Sequence, residues 1–413
     1  MEENKPAIYS VQASVFSIFR NFRVFLQPKI FMMRIFAVIF FSILLLPDIY
    51  VRFAFLRKKK WTWRLLNWLP TLIAILCALI FWGTNIPALP LSKAFFYILI
   101  CISLPKLAFS VVSLIFRILS LFWKKIKIVE LPISLACTLA ALVVMIYGCT
   151  VGQKKLVLKE QTLFFNNLPK EFDGYRIVQI SDLHIGTYGE DTSFVSRVVT
   201  EVMAQKPDLI VYTGDLVNSD ADEVDPFISL LSSLSAPDGV LSIFGNHDYC
   251  YYNHHHQMEA IHREQEALKA NERKLGWQLL LNEHRVIERD SSQIAIVGVE
   301  NVGKPPFPHF GDITKAMNGL KDSTFVILLS HDPSHWRMEV LPDTDIPLTL
   351  SGHTHAMQFR IGRLTPVVMR YPEWGGLYEE NGQQLFVSTG IGGGIPFRFG
   401  AWPEICVLTL KCK

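Results

Sequence analysis

Residues 175–184 read YRIVQISDLH, an apolar run that ends in two polar side chains, Asp182 and His184. A short apolar run rich in β-branched residues is typical of a buried strand. The i, i+2 spacing of Asp182 and His184 aims both side chains to one side of an extended or just-ended strand. This stretch therefore predicts a sheet in which polar, metal-type ligands follow a buried strand.

Other runs along the chain repeat this pattern of a short apolar stretch followed by polar residues. We predict buried strands at Tyr175–Ser181, Asp208–Thr213, Val240–Gly245, Ile294–Val299, Phe325–Ser330, Leu348–Ser351 and Leu385–Ser388. Helical periodicity lies between the first two strands, where four valines between residues 195 and 202 share one face, and again at Met258–Leu275. Strands that alternate with helices predict an α/β layered domain, whose sites lie at the carboxyl ends of strands.

The first 150 residues have a different composition. The chain of 413 residues is 50% hydrophobic, with a mean hydropathy of +0.27, and most of the apolar excess lies before residue 150. Four segments are long and apolar enough to cross a bilayer, since a span needs about 20 residues. They are Ile35–Phe55, Leu65–Gly83, Ala94–Phe116 and Leu131–Thr150. We predict a membrane module over residues 1–155, with about four transmembrane helices, and a separate globular domain over residues 156–413. Residues 9–30 are predicted to form an amphipathic helix at the membrane surface.

Basic clusters flank these segments and indicate an orientation. Arg57–Lys60 and Lys124–Lys127 favour cytoplasmic loops, which would place the domain over residues 156–413 outside the cytoplasm. Other basic residues favour the opposite orientation: Arg20, Arg23, Lys29, Arg34, Lys154, Lys155 and Lys159. A net charge of +3 is too weak to indicate nucleic acid, whereas the long apolar segments indicate a lipid bilayer as a partner. Seven cysteines without CxxC spacing predict neither a disulfide framework nor a zinc knuckle.

Five short motifs follow the predicted strands, and each supplies one or two metal-type ligands. They are Ser181-Asp182-Leu183-His184, Gly214-Asp215, Gly245-Asn246-His247-Asp248, Ser330-His331-Asp332 and Ser351-Gly352-His353-Thr354-His355. A divalent cation needs several oxygen and imidazole donors from different strands, and a pair of cations also needs a carboxylate that can bridge. One such residue alone is as well explained by a helix cap or a surface histidine, but the whole set indicates a metal site.

The order D-x-H, G-D, G-N-H-D, S-H, G-H-x-H resembles the calcineurin-like metallophosphoesterase family over about residues 172–411, and within it the membrane-attached bacterial subgroup. The resemblance implies a four-layer α/β/β/α sandwich and two divalent metal ions, with manganese, iron, zinc and magnesium as candidates. It assigns one metal to Asp182, His184, Asp215 and His355, and the other to Asp215, Asn246, His331 and His353. Asp215 would then bridge the two ions. After His355 the chain reads Ala356-Met357-Gln358 where many relatives have Gly-Gly-Gln. Because these bulkier side chains would narrow the approach to the metals or form an apolar wall, we do not assign the substrate of any relative to this chain.

The chemistry expected of such a site is hydrolysis of a phosphomonoester, phosphodiester or pyrophosphate bond in a phosphorylated small-molecule or lipid substrate. The resemblance therefore implies that residues 156–413 form the catalytic domain. Two cations about 3.5 to 4 Å apart lower the pKa of a shared water and neutralise charge during in-line attack on phosphorus. We predict that His247 protonates or stabilises the leaving oxygen, with Asp248 setting its tautomer or raising its basicity. Asn246 is expected near the phosphate, and Arg398 is a candidate contact for an anionic substrate.

Several alternatives stay open at this stage. Residues 254–256 are three histidines that fit either a solvated loop or an extra metal tract. A domain held at a bilayer suggests a lipid-linked or envelope substrate, because anchoring raises the local concentration of such molecules. One rival is a catalytically silent membrane scaffold or sensor, although no expected ligand is missing. Another is a transporter role for the spans, whose charges are Lys106 and a pair near one span end, Asp48 and Arg52, spaced to contact each other.

Overall fold

The computed structural model describes residues 28–83, 89–252, 257–305 and 307–413. The described part begins with helices: Pro28–Ala54 (α1), Trp61–Gly83 (α2), Leu89–Ile98 (α3), Leu104–Leu119 (α4) and Lys127–Thr150 (α5), with a π-helical turn at Leu99–Ser103 between α3 and α4. Of the surface helix predicted at residues 9–30, residues 9–27 lie outside the described part of the chain.

Three stretches among the described residues are long and apolar enough, by length and composition, to cross a membrane. They are Trp61–Ile80, Pro90–Leu119 and Lys124–Lys154. These correspond to the last three predicted segments, and helix α1 covers the first. The N-terminal helices are thus apolar enough to span a membrane, whereas the number of spans stays a prediction.

Charged side chains in these helices pair with one another. Lys106 on α4 binds the carboxylate of Asp48 on α1, and its ammonium also donates to the carbonyl oxygen of Asn67 at 2.7 Å. Arg117 Nε lies 2.6 Å from Glu130 Oε1. The predicted contact between Asp48 and Arg52 along one helix is replaced by this pairing between helices, because a buried carboxylate in an apolar setting needs a close cation.

The described residues after α5 contain twelve strands that form two sheets. In chain order they are Val157–Phe165 (β1), Arg176–Ile180 (β2), Leu209–Tyr212 (β3), Val240–Ser242 (β4), Gln278–Leu279 (β5), Glu283–Arg289 (β6), Ser292–Gly298 (β7), Phe325–Leu329 (β8), Leu348–Ser351 (β9), Gly376–Glu380 (β10), Gln383–Val387 (β11) and Glu404–Cys412 (β12). The first sheet has the order β1-β12-β2-β3-β4-β5, and the second has the order β10-β11-β9-β8-β7-β6. The strands β2, β3 and β4 are parallel, as are β7, β8, β9 and β11.

Helices cover the outer faces of both sheets. Their bounds are Ser193–Ala204 (α6), Ile228–Leu231 (α7), Met258–Leu275 (α8), Ile313–Met317 (α9) and Leu341–Asp343 (α10). One apolar cluster joins the two sheets face to face, and includes Ile177 and Leu209 from the first sheet and Ile327 and Leu350 from the second. Two further clusters lie on the outer faces, one with the valines of α6 and one around Trp336. This arrangement confirms the α/β/β/α sandwich.

Every strand predicted from the sequence is present, with ends that differ by a few residues. The strand predicted at Leu348–Ser351 has those bounds in the structure, and so does the helix predicted at Met258–Leu275. Because β2, β3 and β4 run parallel in one sheet and β8 and β9 run parallel in the other, their carboxyl ends can deliver side chains to common edges.

Candidate metal centre

The predicted ligands lie two to four residues after the ends of five strands. Asp182 and His184 follow β2, Asp215 follows β3, and Asn246 follows β4, all in the first sheet. In the second sheet His331 follows β8, and His353 and His355 follow β9. The two sheets therefore each contribute side chains to one pocket.

One group of donor atoms combines carboxylates and imidazoles from both sheets. Asp182, His184, Asp215 and His355 each offer a ligand atom, and these atoms lie within 4.8 Å of one another. The Nε2 atoms of His184 and His355 are 3.2 Å apart. His184 Nε2 is 3.5 Å from Asp215 Oδ2, and His355 Nε2 is 3.5 Å from Asp182 Oδ1. These spacings suit several donors that converge on one cation.

A second group shares Asp215 with the first. Asp215, His331 and His353 also place ligand atoms within 4.8 Å of one another. His331 Nε2 is 3.2 Å from Asp215 Oδ2 and 3.2 Å from His353 Nδ1. Since one carboxylate belongs to both groups, Asp215 has the position that a bridging ligand requires.

Asn246 adds a neutral oxygen to the donor set. Its side chain is buried, and Oδ1 has no hydrogen-bond partner among the described residues, whereas Nδ2 donates to the Tyr252 hydroxyl at 2.9 Å. A buried amide oxygen without a partner is costly unless it binds something else. The orphaned oxygen therefore fits the predicted role of Asn246 as a ligand.

Hydrogen bonds orient three histidine rings and, for two of them, favour one tautomer. His331 Nδ1 lies 2.7 Å from the carbonyl oxygen of Thr213, and His184 Nδ1 lies 3.0 Å from Asn218 Oδ1. Each acceptor draws the ring proton to Nδ1 and leaves the lone pair on Nε2, which faces the other donors. In His353 the Tyr371 hydroxyl lies 2.8 Å from Nε2, so that Nδ1 is the nitrogen left for a cation.

Electrostatics favour neutral imidazoles at most of these positions. Burial lowers the pKa of His184 to about 3 and that of His353 to about 4, and it holds the pKa of His355 well below its usual range. Burial acts in the same direction on His331, but the adjacent Asp215 carboxylate outweighs it and raises the pKa of His331 to about 10. Neutral imidazole is the form that binds a metal, so a cation must displace the His331 proton.

The carboxylates respond differently to the same burial. Burial and the negative charge of Asp215 raise the pKa of Asp182 to about 7. Burial opposes ionisation of Asp215 as well, but the neighbouring histidines His331 and His247 outweigh it and hold its pKa well below the usual range. Two buried carboxylates this close together repel unless positive charge lies between them, which is what divalent cations supply.

The backbone at the site is strained. Five of the seven predicted ligands have positive φ: Asp182 (54°), His184 (46°), Asp215 (59°), His353 (73°) and His355 (49°). Residues with side chains in this region cost about 1 to 3 kcal/mol each and persist where surrounding contacts fix them, most often at functional sites.

Two glycines allow the strand ends to approach one another. A Cβ on Gly352 would lie 2.0 Å from Ser181 Oγ and 2.4 Å from Asp182 Oδ2, and a Cβ on Gly245 would lie 2.2 Å from Asp215 Oδ1. Because real Cβ contacts are longer, only glycine lets these loops pack against the carboxylates. This explains the glycines that precede Asn246 and His353.

Asp248 has a different role from the one predicted. Its carboxylate accepts backbone N–H groups of Asp215, Leu216, Val217 and Gly245, and the partner of His247 Nδ1 is instead the carbonyl oxygen of Asn218, at 2.6 Å. Asp248 and His247 are adjacent in sequence, but Asp248 is directed into the domain while His247 is partly exposed. The carboxylate therefore bonds to the backbone and not to the imidazole. Asp248 therefore positions the loop that carries Asp215.

The prediction that Arg398 contacts an anionic substrate is also corrected. Arg398 is buried, and its guanidinium donates to the carbonyl oxygens of Thr389, Gly392 and Ala401 at 2.9–3.1 Å. It also lies 3.2 Å from His355 Nδ1. A guanidinium satisfied in this way supports the backbone and orients His355, because a buried charge needs such partners.

Asn218 and Tyr371 are site residues that the sequence analysis missed. Asn218 contacts His184 with its side chain and His247 with its carbonyl, and Tyr371 contacts His353. Asn218 lies three residues after Asp215, a signal that could have drawn attention to it, whereas nothing in the sequence marks Tyr371. The three histidines at residues 254–256 lie outside the described part of the chain.

Known proteins share this sequence pattern. The pattern of the family described as calcineurin-like phosphoesterase matches residues 175–357. An uncharacterised metallophosphoesterase of Bacillus subtilis, YkuE, is 34% identical over 267 residues, which are 61% of this chain and 84% of that protein. A transmembrane protein with a metallophosphoesterase domain from Danio rerio is 29% identical, over 65% of this chain and 60% of that protein.

A further relative has a named substrate. UDP-2,3-diacylglucosamine pyrophosphatase LpxG of Chlamydia trachomatis is 29% identical over 298 residues, which are 59% of this chain and 86% of that protein. The sandwich fold, the Asp and His groups and the extent of the match to the bacterial relative all agree. On this basis, the chain belongs to the calcineurin-like metallophosphoesterase family, which supports a hydrolase with divalent metal ions.

Proposed function

We propose that this chain is a membrane-anchored phosphoesterase that uses two divalent metal ions to hydrolyse a phosphomonoester, phosphodiester or pyrophosphate bond. The observation that carries the proposal is the position of Asp215, whose carboxylate belongs to both groups of converging donors. One ion would be held by Asp182, His184, Asp215 and His355, and the other by Asp215, Asn246, His331 and His353.

The donor set supports manganese, iron, zinc or magnesium as candidates. Carboxylate, amide and imidazole donors suit borderline and hard divalent cations, and no thiolate is among them. When bound, such a pair would activate a water molecule and neutralise charge on the phosphate. The orphaned oxygen of Asn246 supports its further assignment as a neighbour of the substrate phosphate.

His247 is the proposed proton donor to the leaving oxygen. Its ring is partly exposed, with its centre 4.5 Å from that of the tilted Tyr252 ring, and its Nδ1 lies 2.6 Å from the Asn218 carbonyl oxygen. That carbonyl keeps a proton on Nδ1, so that Nε2 is the ring nitrogen that can pass a proton to an alkoxide or phosphate oxygen.

A lipid-linked or envelope substrate is the proposed substrate class. The catalytic domain follows helices apolar enough to cross a membrane, which would hold the site at a bilayer surface. The Chlamydia relative, named for action on a diacylated sugar nucleotide, supports the same class. The domain limits remain as proposed from the sequence, a membrane module over residues 1–155 and a catalytic domain over residues 156–413.

A metal-content and activity experiment tests the enzyme proposal. The purified full-length protein, loaded with manganese, is assayed with p-nitrophenyl phosphate, its bis ester and phospholipid substrates, beside Asp215→Asn. We expect Asp215→Asn to lose bound metal and at least about 100-fold in activity, since even outer-sphere partners of metal ligands have effects of this size.

Asp312→Asn is the matched control, because Asp312 is an exposed carboxylate that caps α9 with a bond to the Lys315 N–H. It should keep its metal and its activity. Inactivity of the unsubstituted protein with every substrate and with all four metals would favour the scaffold alternative instead.

A further inference from the structure

A loop of residues 356–371, here called the site loop, leaves and rejoins the metal centre. It begins directly after His355 and ends at Tyr371, whose hydroxyl lies 2.8 Å from His353 Nε2. Midway along it, Ile361 and Leu364 pair through two backbone hydrogen bonds of 2.9 and 3.0 Å. A movement of this loop would therefore displace both His353 and His355.

The site loop exposes an unusual amount of apolar surface. Five of its large apolar side chains are exposed: Met357, Ile361, Leu364, Val368 and Met369. Leu364 is 77% exposed and Met369 is 91% exposed. Single exposed apolar residues are common, but several within one short loop indicate a binding surface.

The start of the site loop is hydrogen-bonded to residues 397–402. Phe359 and Phe399 form a parallel bridge, and the Arg360 N–H donates to the Phe399 carbonyl at 2.8 Å. Gly400 makes this approach possible, because its φ is +73° and a Cβ there would lie 1.8 Å from the Arg360 carbonyl oxygen. The two segments are thus separated by about one strand spacing, roughly 4.8 Å.

Residues 397–402 in turn pack on the last turn of α5. The Arg398 N–H donates to the Gly148 carbonyl at 3.1 Å, and the Tyr147 ring lies 6.0 Å from that of Trp402. Because α5 ends at Thr150, Tyr147 lies only about 5 Å along the axis from the helix end. The site loop is therefore tied to the point where an apolar helix, long enough to span a bilayer, ends.

The residues around this point are those favoured in a headgroup layer. Tyr147, Phe399 and Trp402 form an aromatic cluster, and the Lys155 ammonium lies 4.5 Å from the Trp402 ring centre. Aromatic side chains with adjacent cations prefer the membrane interface. The site loop adds the exposed Arg363 between its apolar side chains, a combination typical of surfaces that bind anionic lipid.

From these contacts we propose that residues 357–369 insert into the headgroup region of the bilayer that holds α5. The metal centre then opens at the membrane surface and takes phosphate groups of lipids that stay in the bilayer. The insertion depends only on the loop and the helix, whereas the lipid substrate rests on the proposed phosphoesterase function.

Fluorescence quenching tests the insertion. Leu364→Cys or Met369→Cys is labelled with bimane in the full-length protein, reconstituted in phosphatidylcholine vesicles with or without brominated acyl chains. The unsubstituted chain gives the background from native cysteines. Leu377→Cys, on the exposed edge strand β10, is the matched control.

We expect brominated lipid to reduce the fluorescence at positions 364 and 369 by at least about twofold, and to leave position 377 unchanged. Equal fluorescence in both vesicle types at 364 and 369 would overturn the proposal, as would equal quenching at all three positions. A loop buried instead against a second copy of the chain would give the first of these results.

An activity measurement tests the delivery of lipid substrate. Leu364→Asp/Met369→Asp should lower hydrolysis of phosphatidic acid in vesicles about tenfold and leave hydrolysis of p-nitrophenyl phosphate unchanged, because charge opposes insertion. Leu377→Asp should change neither rate. Equal loss with both substrates would refute delivery by the loop, while inactivity of the unsubstituted protein would refute the phosphoesterase function and leave insertion to the quenching result.

Discussion

Four backbone N–H groups point at the carboxylate of Asp248. They belong to Asp215, Leu216, Val217 and Gly245, at distances of 2.7–3.2 Å. Three of the four lie in the loop that carries the shared carboxylate of Asp215, which has a φ of 59°. Because a strained backbone persists only where its surroundings fix it, these bonds hold Asp215 in place for two groups of donors.

We expect Asp248→Asn to damage the metal centre without removing a ligand. The amide keeps one acceptor oxygen but turns an NH2 group toward backbone donors, and each buried group left unpaired costs about 1 to 3 kcal/mol. The free energy of unfolding should fall by an amount of that order. Metal affinity, measured by titration well below the melting temperature, should fall about 10- to 100-fold.

Asp173→Asn is the matched control, because Asp173 also accepts a backbone N–H, from Cys412 at 2.9 Å, but does so in an exposed position away from the site. It should leave metal affinity unchanged. If Asp248→Asn bound metal as tightly as the unsubstituted protein, the positioning role would be wrong.

Residue types revealed more about the ligands than about the groups that support them. The sequence brought out Asp182, Asp215 and the histidines because such side chains repeatedly follow apolar runs, and the structure brings them together. The role of Asp248 depends on backbone groups of residues 215–217, which lie about 30 residues earlier in the chain, and the role of Arg398 depends on the path of an irregular loop. No short sequence pattern shows either. Residues whose type suggests catalysis or substrate binding can therefore have a structural role instead.

At the level of elements, helix α8 and strand β4 are joined by a buried carboxyl group. Glu272, in the last turn of α8, is buried and hydrogen-bonds to the Ser242 hydroxyl on β4. Burial raises the pKa of Glu272 from an ordinary value of 4.5 to about 8. The folded domain therefore holds a proton on this carboxyl group in a range where the unfolded chain has lost it.

This difference predicts that Glu272 makes stability fall with rising pH. Above pH 4.5 the unfolded state binds fewer protons than the folded state. The contribution of Glu272 to the free energy of unfolding therefore decreases as the pH rises to about 8, by at most about 1.4 kcal/mol per pH unit. Glu272→Gln keeps a polar group for Ser242 but cannot ionise. We expect the variant to gain stability over the unsubstituted protein as pH rises from 5 toward 8.

Denaturant unfolding at several pH values, with a chelator throughout, measures this difference. Glu266→Gln on the same helix is the control, because Glu266 is exposed and contacts only Lys269 among its described ion pairs. It should leave the difference flat with pH. Parallel curves for Glu272→Gln and the unsubstituted protein would contradict the raised pKa.

The central strands were predictable because they are apolar on both faces. β3 and β8 are fully buried, and each gives a continuous run of apolar residues. Five strands were missed, and four of them are edge strands: β1 and β6 alternate between more exposed and more buried residues, β10 is mostly exposed and β5 has only two residues. The fifth, β12, lies between β1 and β2 and is mostly buried. An edge strand carries little apolar signal, since only one face of it meets the core.

At the scale of the whole chain, the basic residues near the membrane fall into two groups. The side chains at residues 57–60 are all exposed, as are those of Lys124, Lys125 and Lys127. The lysines that follow α5 instead contact the catalytic domain: Lys154 pairs with Asp191 at 3.6 Å and Lys159 with Glu404 at 3.9 Å. This difference supports the first group as the cytoplasmic one.

We therefore expect the catalytic domain to lie outside the cytoplasm. Cytoplasmic loops at residues 57–60 and 124–127 require α5 to run outward, so that everything after Thr150 emerges on the opposite side.

Lys58→Cys and Lys321→Cys, both at exposed lysines, provide matched labelling sites in the two regions. A membrane-impermeant maleimide applied to cells whose inner membrane is intact should label position 321 and spare position 58. After lysis both positions should react, which excludes a buried thiol as the cause of protection. Labelling of position 58 but not 321 in intact cells would place the catalytic domain in the cytoplasm and restrict its substrates to that side of the bilayer.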